Sequence, residues 1–211
     1  MKRSKAPLHG LYAIADSALL GSRLTTAADA CLQGGCRLIQ YRDKSATASE
    51  RRRRATELLH ACRGYNALLI INDDVELARA IGADGVHLGQ DDATADEARK
   101  LLGKNAVIGV SCYNRPELAA AAEQAGADYV AFGSVFASPT KPDAVHAPPE
   151  LISRAKQNLN IPVCAIGGIT TSNAQSLVDA GVDMIAVISA IFNGPDVENK
   201  TRQFVTLFGN P

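Results

Sequence analysis

No stretch of this sequence approaches the ~20 consecutive apolar residues that a membrane-spanning helix requires. The basic start, MKRSKAPLHG, is not followed by the apolar core of a signal peptide. A cytoplasmic location, with no membrane partner, is the expectation that follows. An excess of charge is equally absent, since 22 Lys and Arg face 22 Asp and Glu. No global field therefore draws the chain to nucleic acid, and any anion site has to be built locally. The cysteines, Cys31, Cys36, Cys62, Cys112 and Cys164, are odd in number and form no C-x-x-C pair. That argues against a disulfide framework or a zinc site and for reduced, buried small side chains, Cys112 included. Linkers and low-complexity segments are missing too. The 211 residues read as a single domain in which residues 1–8 are a short N-terminal tail.

What is present is a recurring phrase, glycine followed by a short apolar run: GGCRLIQYR (34–42), GADGVHLGQ (82–90), GADYVAFGS (126–134) and GVDMIAVIS (181–189). Each follows an Ala-rich, helix-like stretch, so its first glycine is expected to end that helix in the left-handed conformation before a buried strand begins. Four more apolar runs, GLYAIADS, NALLIINDD, NAVIGVSCY and IPVCAIGGI, bring the total to eight. Between them lie helix-favouring segments at 47–63, 94–102, 115–125 and 173–180, with Thr94 and Asn173 as expected N-caps and Pro116 in a first turn. Strands alternating with helices, eight times over, predict an α/β chain folded as a (β/α)8 TIM barrel. The near-continuous apolar strands agree, because helices cover the outer face of a parallel sheet. The run Arg51 to Arg54 spreads around a helix with Glu50 and Glu57 within two turns, and reads as a solvated face.

Polar residues collect where the strands end: Asp16, Gln40 to Lys44, Asn72-Asp73, Gln90 to Asp92, Ser111, Ser134, Gly167-Gly168 and Ser189. All fall on the rim that carries the active site in this fold. Gln40, Arg42 and Lys44 share a face at period two, with Tyr41 and Asp43 turned away. The segments AIGGI and VIS close the last two runs with small residues whose backbone N–H groups suit a phosphate. Asp73 and Asp92 end neighbouring strands and converge; a hard cation resolves their repulsion, and Mg2+ prefers such a pair plus substrate phosphate oxygens. Asp74 and Asp91 read instead as caps of the following helices. The segment 137–149 is a long loop whose Ser138, Thr140 and Lys141 offer anion donors, while His146 reads as an ordinary loop residue. A metal, cations and a Gly-rich pocket imply two phosphorylated ligands, one of them a diphosphate.

In order, QYRDK, INDDVELA, GVHLGQDD, GVSCYN, SPTK, AIGGI and VISAI closely resemble the thiamine phosphate synthase family over nearly the whole chain. The resemblance implies a Mg2+-dependent transferase of thiamine biosynthesis. Such an enzyme joins hydroxymethylpyrimidine diphosphate to a thiazole phosphate and releases pyrophosphate. Carried over, Gln40, Arg42, Lys44 and Asn72 contact the pyrimidine diphosphate, Asp73 and Asp92 bind Mg2+, and Ser111 and Lys141 meet the diphosphate. Ser138 and Thr140 help hold the thiazole phosphate, whose phosphate rests on Gly168, Ile188 and Ser189. Catalysis is expected from Lys141, Ser111 and Arg42. Tyr41 replaces the more usual Leu or Phe, and the loop reads S-P-T-K where the family often has two threonines. The rivals are a thiazole-processing isomerase or regulatory paralogue, and an unrelated phosphosugar isomerase, for which Asp16 and His87 are the available acid/base pair. Assembly into a homo-oligomer is left open by the sequence.

Overall fold

A computed structural model describes residues 8–137 and 145–209. Eight parallel strands close into a barrel in sequence order. They are β1 (Gly10–Asp16), β2 (Leu38–Arg42), β3 (Leu68–Asn72), β4 (Gly85–Leu88), β5 (Val107–Tyr113), β6 (Tyr129–Gly133), β7 (Val163–Ile166) and β8 (Met184–Val187). The helices are α1 (Ser17–Leu20), α2 (Leu24–Gln33), α3 (Ala48–Gly64), α4 (Val75–Ile81), α5 (Ala95–Leu102), α6 (Pro116–Gln124), α7 (Pro149–Asn158), α8 (Ala174–Asp179), α9 (Ser189–Phe192) and α10 (Val197–Thr206). All eight apolar runs of the sequence become strands, which makes this the expected (β/α)8 barrel.

Alternation along each strand divides the apolar side chains between two layers. Ile39, Ile71, Ile108, Phe132 and Ile185 point outward into the layer beneath the helices. Tyr12, Ile14, Leu38, Ile70, Tyr129 and Met184 point inward and fill the barrel. At the end of β5 the pairing with β6 shifts between Ser111 and Tyr113, a bulge of the kind that re-aims side chains beside functional rims.

Helix starts follow the sequence closely. Thr94 caps α5 and forms a capping box with Glu97, and Asp74 accepts the Leu77 N–H at the start of α4. Two expectations need correction. Asp91 caps nothing, because α5 begins at Ala95 and Thr94 already fills that role. Asn173 occupies the N-cap position of α8 without bonding the helix; its side chain accepts the Thr170 N–H and donates to the Gly168 carbonyl.

Left-handed glycines end three of the four repeated helices as expected, but in GGCRLIQYR the second glycine, Gly35, has the positive φ of 102°. Gly34 stays helical at φ −67° and is demanded by packing: a Cβ there would lie 2.5 Å from the Glu198 carbonyl oxygen and 2.7 Å from Thr201 Cβ. Gly64, at the end of α3, faces open space. Gly34→Ala is therefore expected to cost about 1–3 kcal/mol by overpacking against α10, whereas Gly64→Ala is neutral or stabilising by about 0.5 kcal/mol. Urea unfolding midpoints of the two variants check both signs.

Candidate active site

Strand β2 delivers its side chains to the rim at period two. Gln40 is buried, and its Nε2 donates to the Tyr12 hydroxyl at 2.7 Å. Arg42 forms an ion pair with Asp16, which the register sets beside it on β1. Lys44 lies 3.2 Å from Asp73. Tyr41 and Asp43 turn the other way, the Tyr41 hydroxyl donating to Asp43 at 3.0 Å. Burial raises the Asp43 pKa, but N–H groups of Ala46 and Ser45 outweigh it and hold the carboxyl at about 2.

An open cleft of about 350 Å³ lies at this end, lined by Asp43, Lys44, Arg51, Asn72, Asp73 and Asp74. Arg51 was expected on a solvated helix face. Arg52 and Arg53 fit that description, Arg53 pairing with Glu50 and Glu57, whereas Arg54 is half-buried and pairs with Glu50 and the buried Asp43 carboxylate. Arg51 instead reaches 3.7 Å from Asp74 and brings a further cation to the cleft. The reason is positional: α3 starts at Ala48, directly above the end of β2, so its first turn overlooks the rim. That short spacing from QYRDK was the signal available in the sequence.

Asp73 takes a left-handed φ of 64°, uncommon for a residue with a side chain, and its N–H donates to the His87 carbonyl at 2.8 Å. Asp92 accepts the Gly89 N–H at 2.7 Å. Burial raises the Asp73 pKa and the adjoining Asp92 carboxyl raises it further, with Lys44 acting in the opposite sense. Two acidic groups so close, one pushed toward protonation, fit a hard divalent cation that would remove the repulsion. Among the described residues no group of three or more His, Cys, Asp or Glu could hold a metal. The donor set therefore suits an ion that takes the rest of its oxygens from water and ligand.

Across the rim the chemistry is carried by backbone. Gly167 and Gly168 have φ of 103° and 64°, and a Cβ on Gly168 would meet the Ala137 carbonyl oxygen at 2.5 Å. The loop after β6 is zipped onto this turn, Val135 N–H donating to Ile166 O and Phe136 N–H to Gly167 O. Ile188 and Ser189 open α9 after β8, next to the β7 loop because β7 and β8 pair. Ser138, Thr140 and Lys141 lie outside the described residues.

The acid/base pair that a phosphosugar isomerase would need is committed elsewhere. Asp16 holds Arg42 and caps α1 by accepting the Ala18 N–H at 2.9 Å. His87 uses both ring nitrogens, Nδ1 lying 2.9 Å from the Tyr129 hydroxyl and Nε2 2.9 Å from Ser111 Oγ. Cys112 is buried, and burial pushes its thiol up to about 12, which suits a packing role. Tyr12 and Tyr129 were not singled out in the sequence, where they read as ordinary apolar-run residues.

Against known proteins, a family model described as thiamine monophosphate synthase matches residues 11–191. The thiamine-phosphate synthase of Thioalkalivibrio sulfidiphilus is 50% identical over 202 residues, covering 95% of this chain and 96% of that protein. That of Nitrosococcus oceani is 53% identical over 191 residues, covering 90% and 88%. Among solved structures, a thiamine phosphate pyrophosphorylase from Pyrococcus furiosus superposes with a TM-score of 0.87 at 36% identity, covering 95% of this chain and 96% of its own.

Burial holds the His87 pKa down at about 4, below its ordinary ~6.5. Between those values the unfolded chain takes up a proton that the folded chain refuses, so stability falls as pH drops through this window. The slope from this one group reaches at most about 1.4 kcal/mol per pH unit. Urea unfolding between pH 7 and 4.5 should therefore show a steeper loss in the native protein than in His87→Gln.

Proposed function

The chain belongs to the thiamine monophosphate synthase family, and from that premise we propose how its rim carries the reaction. Its function is that of a thiamine-phosphate synthase, a transferase of thiamine biosynthesis. The two substrates we assign are 4-amino-5-hydroxymethyl-2-methylpyrimidine diphosphate and a thiazole phosphate, with thiamine phosphate and pyrophosphate as products. We take the barrel as the chain's one domain and the cytoplasm as its location; no helix among the described residues is long and apolar enough to cross a membrane.

One observation carries the assignment of roles: cations and paired carboxylates sit on the β1–β4 side of the rim, and a positive-φ glycine turn and the start of α9 sit on the β7–β8 side. The diphosphate belongs to the first side, where Arg42, Lys44 and Arg51 neutralise its charge and Asn72 and Ser111 supply hydrogen bonds. Mg2+ held by Asp73 and Asp92 would supply Lewis-acid stabilisation of charge on the departing pyrophosphate. The monoester phosphate of the thiazole belongs to Gly168, Ile188 and Ser189. Ser138 and Thr140 of the β6 loop contact the thiazole substrate, and Lys141 reaches the diphosphate. The C–O bond to the diphosphate breaks first, its electron pair leaving with pyrophosphate, and the thiazole nitrogen then donates its lone pair to the pyrimidine methylene carbon. The protein's contribution is charge stabilisation and alignment, since no proton has to be abstracted by a side chain.

With purified protein, both substrates and Mg2+, thiamine phosphate and pyrophosphate should appear in equal amounts, and EDTA should abolish both. Binding of either substrate without product would overturn the synthase reading in favour of a binding paralogue. Asp92→Ala is expected to lose roughly tenfold or more in kcat at ordinary Mg2+, with partial recovery as Mg2+ is raised; a near-normal rate would count against the metal assignment.

A further inference from the structure

Beneath the rim, five polar side chains cross the apolar interior of the barrel as one connected line. Gln40 Nε2 donates to the Tyr12 hydroxyl at 2.7 Å, and the Tyr12 hydroxyl lies 2.9 Å from that of Tyr129. The Tyr129 hydroxyl lies 2.9 Å from His87 Nδ1, and His87 Nε2 lies 2.9 Å from Ser111 Oγ. Tyr12, Tyr129 and Gln40 are each at most 2% exposed, so water does not supply alternative partners.

Counting protons gives the line a direction. A hydroxyl has one proton to donate, and a buried O–H left without an acceptor is costly. Tyr12 already accepts from Gln40, so its own proton goes to Tyr129. Tyr129 then donates to His87 Nδ1, which must be bare, and the ring proton lies on Nε2. His87 therefore donates to Ser111 Oγ, and the Ser111 proton is left to point away from the barrel interior. An outward donor is what an anionic ligand at the rim requires.

The sequence makes room for this arrangement. Register places Gly109 of β5 between His87 on β4 and Tyr129 on β6. A Cβ on Gly109 would fall 2.0 Å from Tyr129 Cζ and 2.4 Å from its hydroxyl. Only a strand without a side chain at that point lets the tyrosine lean across β5 and reach the imidazole. The ring of Tyr129 also stacks on that of His87, with centroids 5.6 Å apart.

We propose that Tyr12, Tyr129 and His87 are positioning residues forming a one-way hydrogen-bond relay from Gln40 to Ser111, which holds the Ser111 hydroxyl as a donor toward the diphosphate substrate. The relay rests on the assignment of Ser111 as a substrate contact only for its effect on activity; the direction of its protons is a property of the free protein. The same logic leaves the Gln40 carbonyl oxygen turned away from Tyr12 as an acceptor, so the two ends of the relay present opposite polarity.

The test has two parts. In the full chain carrying His9→Gln, His60→Gln and His146→Gln, all at exposed positions, His87 is the sole histidine, and 15N-histidine NMR at neutral pH reads its tautomer directly. A protonated Nε2 with a bare Nδ1 is expected. A protonated Nδ1 would reverse the relay and overturn the proposal, whatever the enzyme's activity. In the coupling assay, Ser111→Ala and Tyr129→Phe are compared singly and together, with folding checked by thermal unfolding. Removing a hydrogen bond to a charged group predicts a fall in kcat of roughly 10- to 100-fold for Ser111→Ala. Tyr129→Phe should cost roughly tenfold alone and less than about threefold once Ser111 is gone. Full activity in Ser111→Ala would overturn the serine's role while leaving the synthase activity standing. An equal loss from Tyr129→Phe in both backgrounds would show that the tyrosine acts through general packing, and would also overturn the proposal.

Discussion

The interior of an eight-stranded barrel is wide enough to be filled by side chains and too narrow to hold bulk water. Any polar group placed there has to find its partner among the other inward-facing residues. Much of this molecule follows from that constraint. Tyr12, Tyr129, Gln40 and His87 share the space with Ile14, Leu38, Ile70 and Met184, and each of these polar side chains is bonded to another. The polar groups are therefore confined to a line that ends at the rim, and the layer below it is apolar. Burial raises the pKa of both tyrosines and lowers that of the histidine, so every member of the line is neutral at physiological pH.

At the rim the constraint relaxes, and charge appears within one residue of the last buried position. On β2 the step from Gln40 to Arg42 to Lys44 runs from buried to half-buried to exposed. Each of the two cations meets a carboxylate at the end of a neighbouring strand, Arg42 with Asp16 and Lys44 with Asp73. The more exposed of the two, Lys44 with Asp73, contributes little to stability, typically under about 1 kcal/mol. The effect of both is positional: each pair fixes where a cation sits at the opening. The Asp73 and Asp92 pair goes further, because two carboxylates in contact are destabilising without a cation or a proton between them. The protein thus keeps unfavourable electrostatics where a ligand would relieve them.

The strands were legible because a buried parallel strand must be apolar and must be punctuated, and both properties are local. The rim residues were legible for the same reason: GLYAIAD, LLIIN and VIGVS each pass from apolar to polar at one point. What the sequence concealed depends on neighbours that only the closed barrel provides. Gly34 and Gly35 are alike as letters; α10 packs against one of them and leaves the other to make the turn. Asn173 had the right spacing for a cap, yet the Gly168 loop competed for its amide and won. Arg51 sat in a run of arginines whose mutual spacing is uninformative, and its role depends on where α3 begins relative to the rim. The partnership of His87 with Ser111 could not be read from either segment, because it follows from the register of β4 on β5.

On the proposed mechanism, the same packing also governs which nucleophile reaches the pyrimidine methylene cation. Such a species is captured by any water at hand, so the site has to keep water from the carbon while the thiazole nitrogen is aligned. From below, the buried side chains of Tyr12, Tyr129, Ile14 and Met184 close the barrel, and the two hydroxyls among them are already paired. From the side, the start of the β6 loop is fastened to the β7 turn by Val135 and Phe136. Approach is then left to the mouth of the barrel, where the β7 and β8 loops offer backbone N–H groups to a phosphate. A thiazole anchored there by its phosphate presents its ring toward the centre, opposite the cations that hold the departing pyrophosphate. The separation of side-chain charge on one half of the rim from backbone donors on the other thus selects the nucleophile as well as the leaving group.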